Sequence, residues 1–207
     1  MLNVIVFGEM GAGKSSVINM ILGSHTATVG NRALPETRKS TGFQVGISGE
    51  TYNIYDTVGV GEYSGGNPNA LRNLYCLVTD LSNSGGVNLL VFVFKCGSRL
   101  TETMHKNYSL LYHGFCDSKV PIVIVVTGCE NVEPTMDRWW TVNEPSFTNA
   151  RMSFAGHPCV CACKGTKTNY GFYRNEDLFD ESVEVVRQLI VRCCMRTGWK
   201  NVRYLYS

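Results

Sequence analysis

Residues 8–15 read Gly-Glu-Met-Gly-Ala-Gly-Lys-Ser, which satisfies G-x-x-x-x-G-K-[ST]. They lie between a short apolar run, Leu2–Phe7, and a stretch with helical apolar spacing, Lys14–Leu22. No other feature constrains the chain as much. A strand, a glycine-rich turn and a helix in series turn backbone N–H groups inward. They also set the positive helix end behind those groups, so the turn becomes a cradle for phosphate oxygens. Gly8, Gly11 and Gly13 allow backbone angles that side chains forbid. Met10, Ala12 and Ser16 complete the expected nucleotide contacts. Lys14 is expected to reach the β- and γ-phosphates, and the Ser15 hydroxyl to ligate magnesium.

The order of elements predicts what surrounds this loop. Phe43–Ile47 and Thr51–Tyr55 alternate as strands and are joined closely enough to form an antiparallel hairpin. Val87–Phe94 and Val120–Val126 are continuous apolar runs, as in strands buried on both faces. Ala70–Leu81 carries a helical stripe of Leu71, Leu74, Leu77, Val78 and Leu81. Glu102–Phe115 reads as one helix, Thr135–Phe154 as a helix interrupted at Pro145, Cys159–Cys163 as a short strand and Glu176–Arg196 as a long amphipathic helix. Ser24–Ser40 and Gly59–Pro68 read as loops. Strands alternating with helices give an α/β class: three layers around a six-stranded, mostly parallel sheet with one antiparallel edge strand. The 207 residues are expected to form a single domain.

Further motifs fall at the strand ends. Asp56-Thr57-Val58-Gly59 follows the second hairpin strand. Such a carboxylate can hold magnesium through water, and such a glycine N–H can touch a γ-phosphate. The loop before the hairpin should supply a threonine to the metal and the γ-phosphate. Thr37, Ser40 and Thr41 are candidates, and Thr41 is favoured because it lies just before the first hairpin strand. After Val120–Val126 comes Thr127-Gly128-Cys129-Glu130, a variant of [NT]-K-x-D in which glycine replaces lysine and glutamate replaces aspartate. Glu130 keeps a bidentate acceptor for the guanine N1–H and N2–H groups. Cys161-Ala162-Cys163-Lys164 parallels an S-A-K element, whose backbone N–H meets the guanine carbonyl. A carboxylate against adenine would face an acceptor where guanine offers a donor, which favours guanine.

Composition excludes several classes. The formal charge is +2 and the basic residues are scattered, so no nucleic-acid footprint is expected. No apolar run approaches the roughly 20 residues of a membrane span, and residues 1–8 do not read as a signal peptide. The nine cysteines are odd in number and suit reduced thiols in a cytoplasmic protein. Zinc held by Cys159, Cys161 and Cys163 does not match the usual CxxC spacing.

The ordered set GEMGAGKS, Thr41, DTVG, TGCE and CACK resembles a translation-factor-class G domain. Residues 89–102, LLVFVFKCGSRLTE, are similar to a stretch of the immunity-associated (GIMAP-type) GTPases, relatives of septins. The resemblance spans about residues 2–195. It implies a Ras-like sheet, GTP or GDP with magnesium, a cytosolic location and nucleotide-dependent homodimerisation across the nucleotide face. Ras-like enzymes place a water-orienting glutamine after DxxG. Here that position is Val60, and Met10 stands where those enzymes have glycine, so hydrolysis is expected to be slow. Lys14, Thr41, Gly59 and Glu62 are the expected catalytic set, with Thr57 a further polar group near the attacking water. Arg32, Arg38 or Arg99 is a possible arginine donor from a partner subunit. The competing readings are a GTP-binding scaffold without useful hydrolysis and a small-molecule P-loop kinase, which lacks support because no arginine-rich lid is evident.

Overall fold

The computed structural model describes residues 1–23, 41–57 and 68–200. Six strands form one sheet: β1 (Leu2–Gly8), β2 (Thr41–Ile47), β3 (Glu50–Asp56), β4 (Leu89–Lys95), β5 (Ile122–Thr127) and β6 (Cys159–Val160), in the order β2-β3-β1-β4-β5-β6. Only the β2–β3 pair is antiparallel. Ser48 and Gly49 join it, both with positive φ (49° and 83°), the backbone twist that suits a two-residue hairpin turn. The helices are α1 (Lys14–Leu22), α2 (Pro68–Ser84), α3 (Glu102–Tyr108), α4 (Arg138–Asn149) and α5 (Glu176–Cys193).

The alternation of strand side chains sorts the core into two faces. Ile5, Phe7, Leu90, Phe92, Phe94, Ile122, Ile124 and Val126 meet α2, α3 and α4 in an aromatic-rich layer. Val4, Val6, Leu89, Val91, Val93, Val123 and Val125 meet α1 and α5 in a layer rich in β-branched residues. β1 and β5 are buried along their whole length, and β4 up to Lys95, which is why each reads as an unbroken apolar run.

Four expectations need correction. Leu71 is 42% exposed, so the α2 stripe begins at Leu74. The helix expected over 102–115 changes type at Ser109 and runs to Phe115 as a π-helix. α4 continues through the exposed Pro145, which withholds its N–H from the ladder and crowds the preceding turn without ending the helix. The strand expected over 159–163 stops at Val160. There the outward N–H groups turn to side chains, Cys159 N–H to Asp137 Oδ1 at 3.3 Å and Cys161 N–H to Ser182 Oγ at 3.0 Å. These bonds close an edge that would otherwise be free to pair. Among the described residues no helix is long and apolar enough to cross a membrane.

Candidate functional site

Every parallel strand ends at the same edge of the sheet, so the loops after β1, β3, β5 and β6 converge there. β1 and β4 are closely packed at Gly8. A side chain there would place its first carbon 2.3 Å from the Val93 carbonyl oxygen, so β1 and β4 come this close only over a glycine. The loop then turns back on itself, with Ala12 N–H donating to the Glu9 carbonyl at 3.2 Å. Lys14 Nζ donates to the carbonyls of Gly8 at 3.0 Å and Glu9 at 2.8 Å, which holds the ammonium over the cradle. Gly13 begins α1 in a left-handed conformation (φ 92°) and no side chain caps the helix. Its first N–H groups are therefore left for an anion. Ser15 is exposed on the first turn, Ser16 is half-buried, and Met10 and Gly11 are exposed.

Asp56 closes β3 opposite Val6 of β1 and, in the hairpin, opposite Thr41 of β2. The register thus makes the two expected metal-side residues cross-strand neighbours. Asp56 Oδ1 is buried without a hydrogen-bond partner. Burial pushes the carboxyl pKa above its usual range, and the Lys14 ammonium pulls it partly back. Lys14 shows the mirror effect: burial lowers its pKa, opposed by Asp56 and Glu9. A buried carboxylate oxygen without a donor is costly unless something supplies positive charge, and a divalent cation fits that need. Thr57, expected as a polar group near the attacking water, instead donates its hydroxyl to the Val6 carbonyl at 2.9 Å and is buried. Gly59, Glu62, Val60, Thr37, Ser40, Arg32 and Arg38 lie outside the described residues.

On the side where the base contacts are expected, the Thr127 hydroxyl donates to the Ala12 carbonyl at 2.7 Å. The loop after β5 is thereby tied to the phosphate loop across 115 positions. Thr127 also lies where a side chain on Gly13 would meet it, at 3.1 Å. Glu130 Oε2 is buried and unpartnered. It lines a cavity of about 490 Å³ with Glu133, Asp137, Cys159 and Glu181. The phosphate-loop residues and Cys161–Cys163 are not part of that lining. Cys161 is buried with its amide on Ser182, Ala162 is half-buried and Cys163 is exposed. Lys164 pairs with Glu176 and Asp180 at 3.4 and 3.5 Å and sits 5.3 Å from the centre of the Phe179 ring. All nine cysteines are free thiols.

The family model of the 50S ribosome-binding GTPase matches residues 3–128, more than half of the 207 residues. The chain belongs to this GTPase family. The match takes in the phosphate loop, Asp56 and Thr127-Gly128, so this P-loop GTPase carries its motifs on the strands that the family's fold provides. No curated protein matches the GTPase at a significant level. Among solved structures it is similar to a dimerisation-deficient mutant of Toc33 from Arabidopsis thaliana, at 16% identity and a TM-score of 0.58, over 97% of this chain and 87% of that one. Toc33 from the same plant in complex with GDP and Mg2+ is similar at 16% identity and 0.56, over 96% and 88%. A structure titled for the importance of dimerisation in the GTPase activity of the chloroplast translocon components atToc33 and psToc159 gives 16% identity and 0.50, over 90% and 82%. At this identity the likenesses establish the fold: a Ras-like G domain.

The Thr127–Ala12 bond and a contact between Glu9 and Thr101 (2.6 Å) are not foreshadowed in the sequence. Both join residues far apart in the chain, and neither has a local sequence signal.

Proposed function

We propose that the chain binds GTP and GDP with magnesium and hydrolyses GTP slowly, as a nucleotide-dependent switch. The observation that carries this is the pairing of an uncapped α1 N-terminus beside Lys14 with the buried, unpartnered Oδ1 of the Asp56 carboxylate. Together they offer positive charge to phosphates and negative charge to a metal. Gly8, Met10, Gly11, Ala12, Gly13, Lys14, Ser15 and Ser16 form the phosphate contacts. Ser15, Thr41 and Asp56 hold magnesium, which when bound neutralises charge on the β- and γ-phosphate oxygens. Lys14 orients the γ-phosphate and counters the charge that develops on it. Thr127 braces the phosphate loop, and Glu130 accepts from the guanine edge with Ala162 and Cys163 beside the base. Thr41, Gly59 and Glu62 complete the catalytic set.

Within the GTPases we assign the chain to the translation-factor class near the immunity-associated branch, on the motif series and residues 89–102. We read residues 1–207 as one G domain that acts in the cytoplasm, in keeping with nine free thiols. It has no nucleic-acid partner and no membrane insertion, and it forms a homodimer across the nucleotide face when GTP is bound. The titles of the Toc33 structures speak of dimerisation in those proteins and support that reading by analogy of fold. Extraction of nucleotide from the purified protein, followed by chromatography, should yield GDP or GTP; recovery of adenine nucleotides would refute the base assignment. A second reading, a scaffold that holds GTP without turnover, draws on Thr57, whose hydroxyl is committed to β1. Single-turnover kinetics at saturating protein separates the two. A measurable first-order rate supports the switch, and a rate equal to background supports the scaffold.

A further inference from the structure

The phosphate loop contains an acidic side chain that nucleotide binding as described leaves unused. Glu9 is held at three points. Its carbonyl accepts from Lys14 Nζ at 2.8 Å and from Ala12 N–H at 3.2 Å. Its carboxylate Oε1 accepts from the Thr101 hydroxyl at 2.6 Å. Thr101 is itself fixed as the N-cap of α3, its Oγ1 accepting from Met104 N–H at 3.2 Å and its carbonyl from His105 N–H at 3.2 Å. Capping uses the hydroxyl as an acceptor and leaves its proton free to go elsewhere. The proton goes to a carboxylate 92 positions away, and an O–H···O⁻ bond of this length is charge-assisted.

The Glu9 carboxylate also acts on Lys14, helping to hold the ammonium pKa up against burial. A fixed negative charge beside that cation opposes each further negative charge on a ligand. A triphosphate brings more charge than a diphosphate and feels the opposition more. Without the Thr101 hydroxyl the carboxylate is free to turn toward Lys14, whose ammonium already bonds the Glu9 carbonyl, and a Glu9–Lys14 ion pair would occupy the charge that the phosphates need.

We propose that Glu9, clamped by Thr101, is a specificity-determining residue of the phosphate loop: it sets the preference between guanosine triphosphate and diphosphate, and the clamp keeps its carboxylate off Lys14. The inference rests on the nucleotide-binding reading above.

The test is Kd for GDP and for a non-hydrolysable GTP analogue, both with magnesium, on the full chain. The set is the parent, Glu9→Gln, Thr101→Val, Thr101→Ser and the Glu9→Gln/Thr101→Val double variant. Glu9→Gln should shift the affinity ratio toward the triphosphate by about threefold to tenfold, the scale of one unit charge acting near a protein surface. Thr101→Val should shift it the other way by a similar factor, and Thr101→Ser should stay near the parent. The double variant should return to the Glu9→Gln ratio, a rescue that loss of a helix cap cannot produce. Equal weakening of both nucleotides by Thr101→Val with no rescue would overturn the proposal, as would an unchanged ratio in Glu9→Gln. Melting temperatures monitor folding, and if Thr101→Val does not fold, the Glu9→Gln ratio alone decides. A parent that binds neither nucleotide overturns the underlying reading, whereas a parent that binds both with ratios that do not move sinks this inference alone.

Discussion

Asp56 and Lys14 act on each other's charge in a site that neither finds comfortable alone. Burial raises the pKa of one and lowers that of the other. Only the ionised carboxylate can serve a metal, and a raised pKa moves its protonation toward neutrality. Magnesium-dependent GTP affinity should therefore begin to fall on acidification at a higher pH than an ordinary carboxylate would give. In Asp56→Asn that metal-dependent, acid-sensitive component should be missing. A parent profile that stays flat down to the ordinary carboxylate range would contradict this. For the protein without ligand the sign is opposite: a carboxyl with a raised pKa makes the fold less stable as pH rises from the ordinary carboxylate range through that raised value.

At the far end of the sheet, Asn3 is 4% exposed. Its Nδ2 donates to the Gly86 carbonyl at 2.7 Å, and its Oδ1 accepts from Asn53 Nδ2 at 2.9 Å. Asn3→Leu keeps the branched shape but strands both partners, so urea unfolding should show a loss of about 2–4 kcal/mol. A change within about 0.5 kcal/mol would refute the cost assigned to those groups. The phosphate-loop motif is legible because it is contiguous and its chemistry demands particular types at fixed spacing. Asn3, Thr101 and the Thr127–Ala12 bond are not, because each draws its role from a partner that only the fold brings near.

At the level of elements, burial decided what could be read. β1, β4 and β5 are covered on both faces and appear as apolar runs, and the β2–β3 hairpin announces itself by alternation around Ser48-Gly49. β6 has two residues and its remaining bonds go to Asp137 and Ser182, so a five-residue alternation overstated it. The switch to π-helix at Ser109 leaves apolar spacing nearly unchanged, so periodicity over 102–115 could not reveal it. Pro145 misled in the other direction. It is exposed in the interior of α4, where proline removes a ladder bond and crowds the preceding turn. Pro145→Ala should raise stability by about 1 kcal/mol or more in denaturant unfolding; a loss of stability would mean that the helix depends on the proline for its course.

At the scale of the molecule, the sheet order gathers the loops after β1, β3, β5 and β6 at one edge, and Thr127 joins the loop after β5 to the phosphate loop. Bound nucleotide should therefore stabilise the whole domain by mass action, by about 2.7 kcal/mol at a hundredfold excess over Kd. GTP with magnesium should raise the melting temperature more than GTP with a chelator, and an equal rise in both would argue against the metal assigned to Asp56. The most direct test of the central claim is guanine-nucleotide binding by the parent and by Lys14→Ala, each with and without magnesium. The parent should bind with magnesium, and Lys14→Ala should bind about a hundredfold more weakly, as expected for lost bonds to a charged group in a partly buried site. Equal affinity in the two proteins, indifferent to the metal, would contradict the account.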